Sequence, residues 1–116
     1  MRDHRKLRVF QSAHSLVLLT YCSTRDFPRT EIFGMVSQMR RCSISVAANI
    51  VEGSARKSEK EYLQFLNCSF GSLRELGYYI DLARELGYLD PAATAQLRLE
   101  QGRTASALTG LIRSLR

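Results

Sequence analysis

The chain has 116 residues, 45% of them apolar and 24% charged, a size and balance that suit one globular domain with a modest core rather than a disordered chain. Seventeen Lys and Arg against eleven Asp and Glu leave a net charge of +6 and a pI near 9.7, a surface that attracts polyanions. No apolar run approaches the ~20 residues that a membrane span needs, so no membrane role is expected.

The N-terminus, Met1-Arg2-Asp3-His4-Arg5-Lys6, is basic, and apolar and polar residues alternate after it. A secretion signal needs an unbroken apolar stretch and a small-residue cleavage site, so a cytoplasmic protein is expected. The first helix is expected over about 5–24, presenting Phe10, Ala13, Val17 and Tyr21. Asp26-Phe27-Pro28 closes it, and Pro28 suits the first turn of a second helix over about 29–52. In that helix Ile32, Val36, Met39, Ser43, Val46, Ile50 and Gly53 step by 4-3-4-3-4-3, with Gly53 placed to end it. Ser58-Glu59-Lys60-Glu61 is a capping box that opens a third helix, about 58–86. Tyr62, Leu66, Ser69, Leu73, Leu76, Ile80, Ala83 and Gly87 repeat the rhythm there, and Gly87 suits a left-handed C′ position. Asp90-Pro91 opens the fourth helix, about 91–115, which offers Leu97, Leu108, Leu111 and Leu115. A strand would alternate every second residue instead. Short connections make successive helices antiparallel, so the expected fold is all-α, a single domain forming an antiparallel up-down four-helix bundle.

Two features do not fit a plain bundle. The third helix adds Leu63, Phe65, Phe70, Tyr78, Tyr79, Leu82 and Leu86 to its seam, so that it is apolar around most of its circumference. That surplus points to self-association, with Tyr78 and Tyr79 as interface residues, rather than to scattered exposed side chains. Polar residues also stand inside the seam: Ser45, Asn49 and Glu52 about one turn apart on the second helix, Ser72 and Glu75 on the third. Read as a catalytic pair, Glu52 and Glu75 would stand about 27 Å apart in an antiparallel hairpin. A buried polar network that sets helix register, with Arg41 or Gln38 satisfying Glu75, is the better reading.

Cys22, Cys42 and Cys68 form no C-x-x-C pair and read as small buried hydrophobes in a reducing compartment. His4 and His14 build no metal site, and no Glu-x-x-His pair suggests a di-iron bundle, so neither metal nor cofactor is expected. The basic residues cluster. Arg2, Arg5, Lys6 and Arg8 lie at the start, Arg56, Lys57 and Lys60 at the turn between helices two and three, and an antiparallel bundle brings these groups to one end. Arg98, Arg103, Arg113 and Arg116 spread along the last helix. No helix-turn-helix, zinc-finger or RNA-binding-sheet pattern is present, so any contact with nucleic acid should run through phosphates.

Phe27-Pro28-x-x-Glu31-x-Phe33-Gly34-x-x-x-Gln38-x-Arg40-Arg41 is followed by Ser45-x-x-x-Asn49-Ile50-x-Glu52-Gly53-x-x-Arg56. Phe65-Leu66-x-x-x-x-Gly71-Ser72-Leu73-x-Glu75-Leu76 and Gly87-Tyr88-Leu89 come next. In this order the motifs resemble the four-helix-bundle family of 23S rRNA intervening-sequence proteins. Lys6-Leu7-x-Val9-Phe10-Gln11-x-Ala13 matches too, although family members more often carry tryptophan where Phe10 stands. The resemblance implies a bacterial protein whose reading frame can lie within an insert in the large ribosomal RNA gene. It also implies a doughnut-like homopentamer with no established enzymatic activity. Accessory proteins of diversity-generating retroelements share the fold, and bind nucleic acid and a reverse transcriptase through a basic surface. Two functions from different classes are therefore expected to compete. The first is a non-enzymatic, ring-shaped homo-oligomer that binds RNA or DNA phosphates through Arg5, Lys6, Arg8, Arg56, Lys57 and Lys60. The second is a scaffold or adaptor for a protein partner.

Overall fold

In the computed structural model, which describes residues 2–115, four helices run antiparallel in sequence order. They are α1 (Arg8–Ser23), α2 (Met35–Ser54), α3 (Glu59–Glu85) and α4 (Pro91–Ser114). Each packs on its sequence neighbours and α4 closes back on α1, giving a square bundle 43 × 24 × 20 Å. The faces made by α2–α3 and by α1–α4 are therefore opposite one another. No described strand is present, and no described helix is long and apolar enough to cross a membrane.

The core follows the seams. Val36, Met39, Ser43, Val46, Ile50 and Gly53 are all buried against Tyr62, Leu66, Ser69, Leu73, Leu76, Ile80 and Ala83. Ser69 Oγ donates to the Val46 carbonyl at 2.7 Å, so the polar member of the α3 seam is satisfied across the interface. On α1 and α4 the buried faces differ from the expected ones. Val9, Ala13, Leu16 and Thr20 face inward on α1, with Phe10, Val17 and Tyr21 half-buried. On α4 the buried set is Thr94, Leu97, Thr104, Leu108 and Ile112, with Leu111 and Leu115 half-buried.

The helix ends carry their own chemistry. Ser58 Oγ accepts from the Glu61 amide at 3.1 Å, and Asp90 Oδ1 from Ala93 at 2.7 Å with Pro91 behind it. Gly87 has φ +80°, and the bonds Gly87 N to Arg84 O and Tyr88 N to Ala83 O form a Schellman turn. Gly53, by contrast, does not end α2. It lies inside the last turn, where a Cβ would meet the Phe65 Cβ at 2.8 Å, so its role is close approach of α3.

The start of α2 is also displaced. A 3₁₀ turn spans Arg29–Glu31, and α2 begins at Met35 rather than near residue 29. Gly34 breaks the path at φ −108°, ψ −111°, and the Glu31 carboxylate caps α2 by accepting from the Met35 amide at 3.1 Å. Tyr88 donates its hydroxyl to the same carboxylate at 2.8 Å, a bond that raises the tyrosine pKa above its usual value. A 3₁₀ turn at His4–Lys6, capped by Asp3, likewise precedes α1.

Candidate nucleic-acid interface

The N-terminal segment lies against the end of α2: the Arg2 amide donates to the Ser54 carbonyl at 3.3 Å. That contact brings Arg5, Lys6 and Arg8 to the end of the bundle that carries Arg56, Lys57 and Lys60. Arg5, Lys6, Arg8, Lys57 and Lys60 are exposed and Arg56 is half-buried. They are not equally available. Arg5 Nε bonds Asp3 at 3.1 Å, an exposed pair that lowers the Asp3 pKa and raises that of Arg5. Arg56 Nη2 bonds Glu52 at 3.1 Å. Glu59 and Glu61, in the first turn of α3, also dilute the positive end.

One cation at this end belongs with the set and is missing from it. Arg2 donates from Nη1 to the Arg56 carbonyl at 3.0 Å, and its guanidinium lies 4.2 Å from the Tyr62 ring centroid. Arg56 lies in the same way over Phe65, at 4.8 Å. The only sequence signal for Arg2 is its membership of the N-terminal basic cluster. The cations of α4 are spent elsewhere: Arg98 pairs with Asp81 at 2.7 Å and Arg103 with Glu100 at 3.0 Å. Arg113 lines a groove with Asn67, Phe70, Thr109 and Ile112, and Arg116 lies outside the described residues.

The polar ladder is real as a set of bonds but is not buried in a single chain. Ser45 Oγ and Ser72 Oγ share a hydrogen bond of 2.8 Å between α2 and α3, and Asn49 donates to the Ser45 carbonyl and Oγ at 2.8 and 3.1 Å. These three residues are half-buried, whereas Arg41, Glu52 and Glu75 are exposed. Glu75 pairs with neither Arg41 nor Gln38. Tyr79, one turn on, donates to it at 2.9 Å, and that bond raises the Tyr79 pKa. Glu75 is held where water still reaches it, so removing it strands no buried cation. Ser72→Ala should then cost about 1 kcal/mol through the lost interhelical bond, and Glu75→Ala less, as read by urea unfolding.

Cys42 is the only one of the three cysteines that is buried. It donates to the Ser72 carbonyl at 2.9 Å, and burial pushes its thiol up to about 12. Cys22 and Cys68 are exposed, contrary to the expectation of buried hydrophobes. Their positions lie outside the inward-facing sets of α1 and α3. The apolar surplus of α3 is mostly absorbed within the chain: Leu63, Phe65, Phe70, Tyr79 and Leu82 are half-buried by neighbouring helices. Tyr78 remains 61% exposed and Leu86 51%. Among the described residues no group of three His, Cys, Asp or Glu side chains comes together.

Arg40 is a structural residue hidden in the same stretch as Arg41. It closes the end of α1, donating to Thr24 Oγ1 at 3.0 Å and to the Tyr21 carbonyl at 3.3 Å while lying 4.6 Å from the Tyr21 ring centroid.

The bundle is similar to a crystal structure of a protein of unknown function from the S23 ribosomal protein family of Bacteroides thetaiotaomicron VPI-5482. The TM-score is 0.80 at 19% identity, over 90% of this chain and 97% of that one. At that identity the likeness carries the fold alone. No curated protein matches the chain. The family model described as 23S rRNA-intervening sequence protein matches residues 5–110, almost the whole bundle, and the chain belongs to that family.

Proposed function

We propose that the protein is a non-enzymatic homo-oligomer that binds nucleic-acid phosphates, RNA first, through the basic end of the bundle. The observation that carries this reading is the convergence of Arg2, Lys6, Arg8, Arg56, Lys57 and Lys60 at one end, fixed by the Arg2 backbone bond to α2. The family description, with its ribosomal RNA context, supports RNA as the partner. Two exposed thiols with no disulfide suit a reducing, cytoplasmic setting. Assembly is supported by apolar side chains on opposite faces. Ile44, Tyr78 and Leu86 are exposed on α2 and α3, and Leu18 and Leu99 on α1 and α4. Faces that differ can meet head to tail, and a rotation that closes makes a ring, for which a pentamer is the expected count. A ring of parallel subunits presents its basic ends as one rim.

Filter binding of single-stranded RNA tests the reading. Retention at ~50 mM salt should fall steeply as salt rises, because each neutralised phosphate releases counterions. Charge reversal at Lys6, Arg8 and Lys60 should flatten the slope of log affinity against log salt by up to about two units. Glu85→Lys, at the far end of α3, should leave it unchanged. Absence of retention at low salt, or full-strength binding without those charges, rejects the proposal.

One observation favours a protein partner as the second reading. Phe33 is 93% exposed and Ile32 57%, in the turn before α2 at the opposite end from the cations. Capture of one protein by the wild type but not by Phe33→Ser, with no RNA retained, would support a scaffold instead.

A further inference from the structure

We infer that the basic end contains a discrete phosphoryl-binding pocket, formed by Arg2, Arg56 and Lys57, and is not merely a diffuse positive rim. An open pocket of about 500 Å³ is lined by these three cations and Ala55. Its two arginines are positioned before any ligand arrives. The Arg2 amide is tied to Ser54 O at 3.3 Å, its Nη1 to Arg56 O at 3.0 Å, and its guanidinium lies against Tyr62. Arg56 is held from two sides, by the Phe65 ring and by Glu52. Stacked guanidinium forks lose little freedom when an anion binds, unlike the free lysines around them.

Two polar atoms beside this pocket lack partners. Arg56 Nε and the Tyr62 hydroxyl are buried and make no hydrogen bond. Tyr62 is 1% exposed and its pKa is raised by burial, opposed by Arg2. Arg56 Nε is closed off from solvent, so an incoming oxyanion meets this guanidinium through its Nη groups. Glu52 already shows what the guanidinium takes: a single carboxylate on Nη2, half-exposed and displaceable. A phosphoryl group offers several oxygens in a tetrahedral array, so it can accept from Arg2, Arg56 and Lys57 at once, which a planar carboxylate cannot do as well. The remaining room admits the attached sugar. The pocket rests on the nucleic-acid reading for its biological ligand, but not for its chemistry.

Inorganic phosphate is the first probe, followed through the arginine Nε–H resonances of the intact oligomer. The Arg2 and Arg56 signals should shift saturably with phosphate and not with chloride at matched ionic strength. Arg2→Gln combined with Lys57→Gln should weaken the phosphate response at least about tenfold, while circular dichroism shows the helices intact. Arg84→Gln combined with Arg98→Gln, outside the basic end, should leave it unchanged. Short RNAs with a 5′-phosphate or a 5′-hydroxyl then separate the sources. Preference for the phosphorylated end, lost in the Arg2 and Lys57 variant, assigns the pocket a terminal phosphomonoester. Equal binding of both, weakened together in that variant, assigns it a backbone phosphodiester. No saturable shift, or an unchanged response in the variant, overturns the pocket even if filter-bound RNA keeps the rim reading. Phosphate shifts without RNA retention would leave the pocket standing and reject the rim.

Discussion

Gly53→Val is expected to destabilise the bundle by about 1–3 kcal/mol, the usual cost of forcing extra carbon into a filled interface. The position is a close approach of α2 and α3. A Cβ there would meet the Phe65 Cβ at 2.8 Å and Tyr62 Cδ1 at 3.0 Å. Phe65 Cβ is anchored to its own helix backbone and cannot swing aside, so the two helices must move apart. Gly110→Ala in α4 should do the reverse, stabilising by about 0.5–1 kcal/mol, because nothing lies within 4 Å of its Cβ and alanine is the better helix former. Urea unfolding of the two variants measures both signs. If Gly53→Val matches the wild type, α2 and α3 do not approach as closely as described. The variant also has a local consequence, since Tyr62 and Phe65 are the rings over which Arg2 and Arg56 lie. Spreading the helices there should weaken phosphate binding as well as the fold.

These two glycines show what could be read in advance and what could not. Both are a glycine inside a helix, and only packing tells a steric requirement from an avoidable cost. The seams of α2 and α3 were legible because seven-residue periodicity is a property of sequence alone. The expected positions from Val36 to Gly53 and from Tyr62 to Ala83 are buried, whereas Ile32, before the start of α2, and Gly87, past the end of α3, are exposed. The inward faces of α1 and α4 were misread in part because both helices carry apolar residues side by side, so Val9, Leu16 and Ile112 were passed over for Phe10, Val17 and Leu111. They were misread in part because threonines do apolar work there. Thr20 Oγ1 donates to Leu16 O at 2.7 Å, Thr94 to Asp90 O at 2.8 Å and Thr104 to Glu100 O at 2.9 Å. Each hydroxyl is satisfied within its own helix, which leaves the methyl group for the core. An inspection for Leu, Val and Phe passes over such residues. The start of α2 was misplaced because Pro28 suits a first turn, whereas the chain needs Gly34 and the Glu31 carboxylate before a continuous helix can begin.

For the candidate site, the clustering of charge followed from topology, since antiparallel helices must bring residue 8 near residue 56. Partner choice did not follow. Arg5 is taken by Asp3 two residues away and Arg56 by Glu52 one turn back, both local pairings that compete with a ligand. The ladder residues Ser45, Asn49 and Ser72 were found, but their burial was overstated. They occupy the outer edge of the α2–α3 seam, where helical spacing alone does not separate half-buried from buried.

Tyr78→Glu and Leu99→Glu, each alone, are expected to reduce the oligomer to monomers, and an equimolar mixture of the two should recover a dimer and nothing larger. The expectation follows from the proposed head-to-tail contact. Tyr78 is 61% exposed on α3 and Leu99 55% exposed on α4. Leu99 also lines a groove of about 350 Å³ with Ser15, Leu19, Gln96 and Glu100, beside the half-exposed end of α1. A carboxylate placed in either apolar contact must be desolvated or must break it. The Tyr78→Glu chain loses its α2–α3 face but keeps its α1–α4 face, and the Leu99→Glu chain is the converse. One productive pair of faces therefore survives in the mixture, and each partner's other face is blocked, so growth stops at two. Light scattering at micromolar concentration reads all three samples. A Leu99→Glu protein that stays fully assembled would place the contact on α2 and α3 alone, as in an isologous dimer. A monomeric wild type would remove the ring altogether. The helices should be unaffected in either variant, because both side chains point away from the core whose burial maintains them.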